Sequence, residues 1–179
     1  MTLQRTLGIA LLLIPSALSA QTRQDHSLSL AAGIYAASGI GSNATYGLRY
    51  NYFILGGRYF VEGSLSIGSL ESRVVSSISK ARLFESDRLL TYEFSAAFDY
   101  QPSGNIPYVL LGVAGVRQGD VTSFAAVVGL GKRIPGLFGS GSLGFRYDIR
   151  DMIMSQRINN SDPFTVHNIV ATMGLQVYF

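Results

Sequence analysis

The sequence predicts an all-β chain: an eight-stranded up-and-down antiparallel transmembrane β-barrel preceded by an N-terminal signal peptide. Three observations predict it. Apolar residues alternate with small or polar ones in segment after segment, and the connections between those segments fall into two kinds that themselves alternate. The composition is apolar yet rich in strand and turn formers, with 47% hydrophobic against 14% charged residues, 20 Gly, 10 Tyr and 10 Phe. A length of 179 residues suits one domain.

The first twenty residues, MTLQRTLGIALLLIPSALSA, form a separate piece. Arg5 supplies a positive start, Leu7 to Ile14 an apolar centre, and Pro15 to Ala20 a small-residue cleavage region, the pattern of a secretory leader. The stretch between Arg5 and Gln21 is too short to span about 30 Å of hydrocarbon comfortably as a helix. Cleavage falls after Ser19 or Ala20, leaving residues 21–179 as the barrel domain. Without Arg5 the mature chain holds 13 Lys+Arg against 11 Asp+Glu, a net charge of +2 that is too balanced for nucleic-acid binding. Cysteine is absent, which excludes disulfides, thiolate catalysis and thiolate metal sites.

No apolar run of about 18 residues follows the leader, so no transmembrane helix is available. The clearest strand is LTYEFSAAFDYQ, where Leu90, Tyr92, Phe94, Ala96, Phe98 and Tyr100 share one face. The other face holds Thr91, Glu93, Ser95, Ala97, Asp99 and Gln101, a period of two that only a strand displays. SLSLAAGIYA, TYGLRYNY, RYFVEGSLSIG and SGSLGFRYDIR repeat the template, as does the final stretch from Thr165 with Ile169, Met173, Leu175, Val177 and Phe179 in one row. YVLLGVAGV and SFAAVVGLG are apolar on both faces. Their small residues assign the bulky face to Val109, Leu111 and Val113, and to Phe124, Ala126, Val128 and Leu130. Eight strands result. Short turns are expected after strands two, four and six, and longer polar loops, including residues 70–88 and 151–163, at the other end.

The bulky face decides what surrounds the barrel. An eight-stranded barrel is just wide enough to be filled by side chains. Tyr46, Tyr50, Tyr52, Tyr92, Phe94, Phe98, Tyr100, Phe145, Tyr147 and Phe179 would overfill it, so this face is expected to meet lipid, with the Gly, Ser, Ala and Thr face inside. Tyr50, Tyr52, Tyr59, Tyr100, Tyr108 and Phe179 lie near the short turns, where an interfacial aromatic girdle belongs. A soluble lipocalin-like barrel is the alternative. Arg49, Glu62, Glu93, Asp99, Arg146, Asp148 and Arg150 fall on the small polar face. Buried charges cost several kcal/mol each unless paired, so an internal network of ion pairs and hydrogen bonds is expected to plug the barrel, with a narrow channel as the alternative.

These residues resemble the small eight-stranded outer-membrane β-barrels related to the outer membrane protein A transmembrane domain, outer membrane protein X and opacity-type surface proteins. PYVLLGVAGV, VVGLGKRI, GSLGFRYDIR and the closing GLQVYF carry the resemblance. It implies residence in the bacterial outer membrane as a monomer, with lipid and lipopolysaccharide as surroundings. It also implies that the last strand is read by the barrel assembly machinery, here through Leu175, Val177, Tyr178 and Phe179.

Catalysis is the rival class, because some small outer-membrane barrels modify lipid A or cleave peptides with His beside Ser or acidic residues. Only His26 and His167 exist here. His26 lies at the turn end, and His167 shares parity with Ile169, outward, whereas Asp148 points inward. Gly139, Gly141 and Gly144 match G-x-G-x-x-G, but a strand rather than a helix follows, and GLGKR lacks the Ser/Thr and upstream Gly of a phosphate loop. No enzyme, cofactor or metal site is expected. The segment 70–88 carries Arg73, Lys80, Arg82 and Arg88 against Glu71, Glu85 and Asp87, a small positive excess that could meet anionic lipopolysaccharide or a host surface.

Overall fold

The computed structural model describes residues 25–37, 41–75, 82–102, 105–119, 121–156 and 164–179. The leader expected at residues 1–20 lies outside the described residues. The strands are β1 (His26–Ala37), β2 (Gly41–Ile54), β3 (Tyr59–Val75), β4 (Arg82–Phe98), β5 (Tyr108–Gln118), β6 (Val121–Pro135), β7 (Leu143–Gln156) and β8 (Phe164–Tyr178). Each pairs antiparallel with its sequence neighbours, and β1 pairs with β8, so the sheet closes on itself and no edge is left open.

The register fixes the shape. The cross-strand path Ser27, Asn51, Glu62, Ser95, Gly112, Val127, Met152, Asn168 returns to β1 at Ala37, an offset of 10 residues (37 minus 27). Such a stagger requires strands tilted by about 35–45° to the barrel axis. The period-two pattern sorts as the sequence indicates. Leu30, Tyr46, Ile67, Phe94, Leu111, Val113, Ile149 and Met173 are exposed on the outside, while Arg49, Glu62, Glu93, Arg146, Asp148 and Arg150 are buried within.

The connections correct the sequence reading. Residues 70–75 and 82–88, expected in a loop, pair as strand from Leu70 opposite Asp87 to Val75 opposite Arg82, and residues 151–156 continue β7. The connection after β5 spans only residues 119–120, whereas 99–107 and 136–142 at the opposite end are longer. Polarity in these segments does not bring loss of structure, because their backbone groups still find partners across the ladder. The asymmetry between the two ends therefore lies in strand length, greatest in the β3–β4 arm.

Two further expectations change. Strand β4 ends at Phe98, so Asp99, Tyr100 and Gln101 lie in the following turn, where the Asp99 N–H donates to the Arg58 carbonyl at 2.7 Å. Tyr108, assigned by the sequence to the outer girdle, is fully buried inside the barrel. It opens β5 on the inward parity of Leu110, and Gly131, directly across in β6, makes its space. A Cβ at Gly131 would lie 2.2 Å from the Tyr108 hydroxyl.

Candidate functional site

The barrel interior is built in three layers, and the small polar face predicted from sequence describes only the middle one. At the turn end Phe53, Phe60, Tyr108 and Tyr178 pack ring on ring, with Phe60 edge-on to Tyr108 at 5.2 Å and Phe53 5.7 Å from Phe60. Toward the opposite end Tyr35, Leu89, Val116, Val127, Met152 and Val170 form a mainly apolar layer. The charges lie between them.

Strand β7 supplies the centre of that layer. Its inward residues Arg146, Asp148 and Arg150 succeed one another at about 7 Å along the strand, twice the rise per residue. Arg150 reaches three carboxylates: Nη1 donates to Glu93 at 2.5 Å, Nη2 to Glu62 at 2.6 Å and Nε to Asp148 at 2.8 Å. Arg49 on β2 donates to Asp148 at 2.5 Å and to the Thr172 hydroxyl at 2.7 Å, and that hydroxyl donates to Asp148 at 3.0 Å. Arg146 pairs with Glu62, donates to the Asn51 side-chain oxygen at 3.1 Å, and through Nε donates to the Tyr108 hydroxyl at 2.7 Å. The Tyr108 hydroxyl in turn donates a hydrogen bond to Asp148 at 3.2 Å.

Three guanidinium groups thus face three carboxylates in a buried, charge-neutral cluster that ties β2, β3, β4 and β7 together across the lumen. Space for the arginines comes from small residues at their level. A Cβ at Gly129 would stand 3.0 Å from Cγ of Arg150. Because each carboxylate already accepts from a guanidinium, the cluster offers cohesion rather than a base or nucleophile.

Asp99 is inside but belongs elsewhere. It pairs with Arg133 at 2.6 Å in the turn-end layer, where the guanidinium also donates to the Gly57 carbonyl at 2.9 Å and lies 4.7 Å from the ring centres of Phe53 and Phe60. Sequence reasoning missed Arg133, although the β6 alternation continued from Leu130 places it inward. Asn51 and Gln176, inward by sequence parity but not counted in the expected network, both donate their side-chain amides to the Ser27 hydroxyl, at 3.1 and 2.5 Å, and so stitch the interior to the β1–β8 closure.

At the C-terminus Leu175 is exposed outward, Val177 and Phe179 are half-buried on the same side, and Tyr178 is buried inside. The room for Tyr178 comes from Gly144, where a Cβ would stand 2.7 Å from the ring, and its hydroxyl donates to the Gln176 side-chain oxygen Oε1 at 3.1 Å. Phe179 exchanges backbone hydrogen bonds with His26 at 3.0 and 3.1 Å and stacks on the imidazole at 5.9 Å. His26 in turn shares a 2.6 Å hydrogen bond with the Tyr50 hydroxyl. His167 is outward, as its parity indicates, and its partner is Asp151 rather than Asp148.

The structure also carries an apolar groove of about 540 Å³ on the outer wall across β8, β1, β2 and β3, lined by Leu30, Ala32, Tyr46, Leu48, Ile67 and Met173 among others. It lies on the opposite side of the wall from the ionic cluster.

A closed eight-strand circuit with an apolar outer belt and a charged, filled interior is the fold of the small outer-membrane β-barrels. Solved structures that share it include the outer membrane protein OprG from Pseudomonas aeruginosa and Ail, the attachment invasion locus protein of Yersinia pestis, solved in complex with the heparin analogue sucrose octasulfate. OprG superposes with a TM-score of 0.60 at 12% identity, covering 88% of this chain and 97% of its own. Ail gives 0.53 at 13% identity, covering 86% and 97%. No protein-family model matches the sequence, and no characterised protein matches it by sequence.

Proposed function

We propose that this protein is an integral protein of the bacterial outer membrane, a sealed barrel with a structural or surface-interaction role rather than a wide pore or an enzyme. The belt of exposed Leu, Ile, Val, Tyr and Phe supports the membrane placement. It runs around the wall well beyond the few hundred Å² of apolar patch that a water-soluble monomer tolerates. The observation that carries the sealed reading is the neutral Arg–carboxylate cluster packed between the turn-end aromatic layer, with its own Arg133–Asp99 pair, and the mainly apolar layer beyond. An ion crossing it would have to part buried charges that are paired with one another.

In this reading the chain is a monomer that enters the membrane through the barrel assembly machinery, with Leu175, Val177, Tyr178 and Phe179 as the recognised strand. The β3–β4 arm stands toward the cell exterior, where it meets lipopolysaccharide or a polyanionic surface. Planar-bilayer recording of the refolded protein tests the sealed interior. Absence of stable porin-sized steps is expected, and their reproducible appearance would overturn it.

A further inference from the structure

Among the described strands two glycines face outward, and their neighbours treat them differently. Gly115 on β5 lies across from Tyr92 of β4, whose ring covers it, since a Cβ there would stand 2.0 Å from Tyr92 Cζ. Gly63 on β3 lies across from Tyr50 of β2 and Phe94 of β4, yet a Cβ there would meet nothing within 4 Å. Its φ is not positive, so the backbone does not require glycine at this position either. An interior strand glycine of this kind marks the close approach of something else.

Tyr50 leaves the notch open because its hydroxyl is held on the other side. It shares a 2.6 Å hydrogen bond with His26 Nδ1 on β1, which flanks β2 opposite β3 and so draws the ring off Gly63.

The notch runs into the apolar groove of the outer wall. Leu48 and Leu65, paired one outward row beyond Tyr50 and Gly63, line that groove, which continues over Leu30, Ala32 and Met173. A methylene is close to a water molecule in size, and at about 30 Å³ for each such group the volume of about 540 Å³ suits the bulk of one acyl chain.

Depth and polarity select the lipid. Leu30 and Ala32 follow His26 by four and six residues on β1, which at the tilt of the strands is about 10–15 Å of depth. The apolar belt is about 25 Å tall, so the groove reaches the middle of the membrane from the turn-end girdle. At its other end the next outward row is Ile34 with Ala44 and Ala171, which carries no polar side chain.

We propose that the Gly63 notch and the groove beyond it hold one acyl chain of a glycerophospholipid from the turn-side, periplasmic leaflet, with its headgroup at the level of His26, Tyr50 and Tyr52. The inference rests on the membrane placement above. The imidazole and the phenols at that level are donors of the kind that phosphate and ester oxygens accept. Lipopolysaccharide, anchored in the opposite leaflet, would enter past Ile34 and Ala44, where nothing answers its phosphates and amides.

The test uses the full mature chain refolded into phosphatidylcholine vesicles that contain phosphatidylethanolamine with a photoactivatable diazirine midway along one acyl chain. After irradiation the labelled peptides are mapped by mass spectrometry, and folding of each variant is checked by heat-modifiable gel mobility. Labelling is expected to be several-fold higher at Leu30, Leu48 and Leu65 than at Leu111 and Val113, which are as exposed on β5. Gly63→Leu, whose side chain enters open space, is expected to fold and to lose this excess. His26→Phe keeps a ring against Phe179 but releases Tyr50 to cover Gly63, and is expected to lower the excess as well. Even labelling around the wall, or an excess unchanged in Gly63→Leu, would overturn the site. An unchanged excess in His26→Phe would overturn the part given to His26. Displacement of the label by added lipopolysaccharide would overturn the assignment to a glycerophospholipid, and protection of the groove in a chain that cross-links as a dimer would assign it to a second copy instead. Failure of the parent chain to insert into any vesicle would overturn the membrane placement, and the inference with it.

Discussion

Replacing Arg150 with Met probes the cohesion of the barrel interior most sharply, because this guanidinium alone reaches three carboxylates. The three losses are not equal. Glu62 keeps Arg146, and Asp148 keeps Arg49 and the Thr172 hydroxyl. Glu93, held by Arg150 at 2.5 Å and buried, is left as an uncompensated charge in a cluster that now carries one negative charge in excess. Breaking a buried pair in this way costs about 3–5 kcal/mol.

The reciprocal change behaves differently. Glu93→Gln removes a charge but leaves Arg150 with two carboxylates and an amide oxygen to donate to, a cost of about 1 kcal/mol. The double variant Arg150→Met with Glu93→Gln restores neutrality, so it is expected to be more stable than Arg150→Met alone, with a coupling of about 2 kcal/mol. The chain contains no Trp. Urea unfolding in phosphatidylcholine vesicles is therefore followed by circular dichroism and by gel mobility. A neutral Arg150→Met, or a double variant less stable than that single one, would refute the account of the cluster.

Two other perturbations address space and assembly. Gly131→Val would drive a side chain into the Tyr108 hydroxyl and Cβ of Asp148, 2.2 and 2.6 Å from an ideal Cβ, and is expected to cost about 1–3 kcal/mol. An unchanged urea midpoint would show that Tyr108 does not depend on that gap. Deleting Phe179 is expected to lower the amount of barrel in the outer-membrane fraction of cells several-fold while refolding into detergent in vitro is largely retained. Equal amounts in the membrane would remove the proposed assembly role of the terminal residue.

The wall of this barrel was legible in the sequence because a strand has a strict period of two and the bulky row could not fit inside eight strands. That argument placed Arg49, Glu62, Glu93, Arg146, Asp148 and Arg150 on one side without any structure. It failed where the signal was local rather than periodic. Tyr108 was assigned by its nearness to a turn, against its own parity, and the gap that accepts it belongs to Gly131 on another strand. Arg133 was missed because the β6 alternation was read only as far as Leu130. The β3–β4 arm reads as a loop by its polar composition, but polar residues are compatible with paired strand as much as with loop. Pairings such as Arg150 with Glu93, or His167 with Asp151, depend on inter-strand register, which alternation within one strand does not supply.

The central claim is that the barrel turns its bulky row to lipid and its charged row to a buried interior. The absence of cysteine makes a single-site labelling scan of β5 clean. Single-cysteine variants from Tyr108 to Ala114, spin-labelled in phosphatidylcholine vesicles, would be compared for collision with oxygen, which partitions into lipid, and with a water-soluble nickel chelate. The account predicts high oxygen access at 109, 111 and 113 and little access to either reagent at 108, 110, 112 and 114. Nickel access at the even positions would mean a water-filled lumen, and loss of the alternation would mean that this wall does not stand in a membrane.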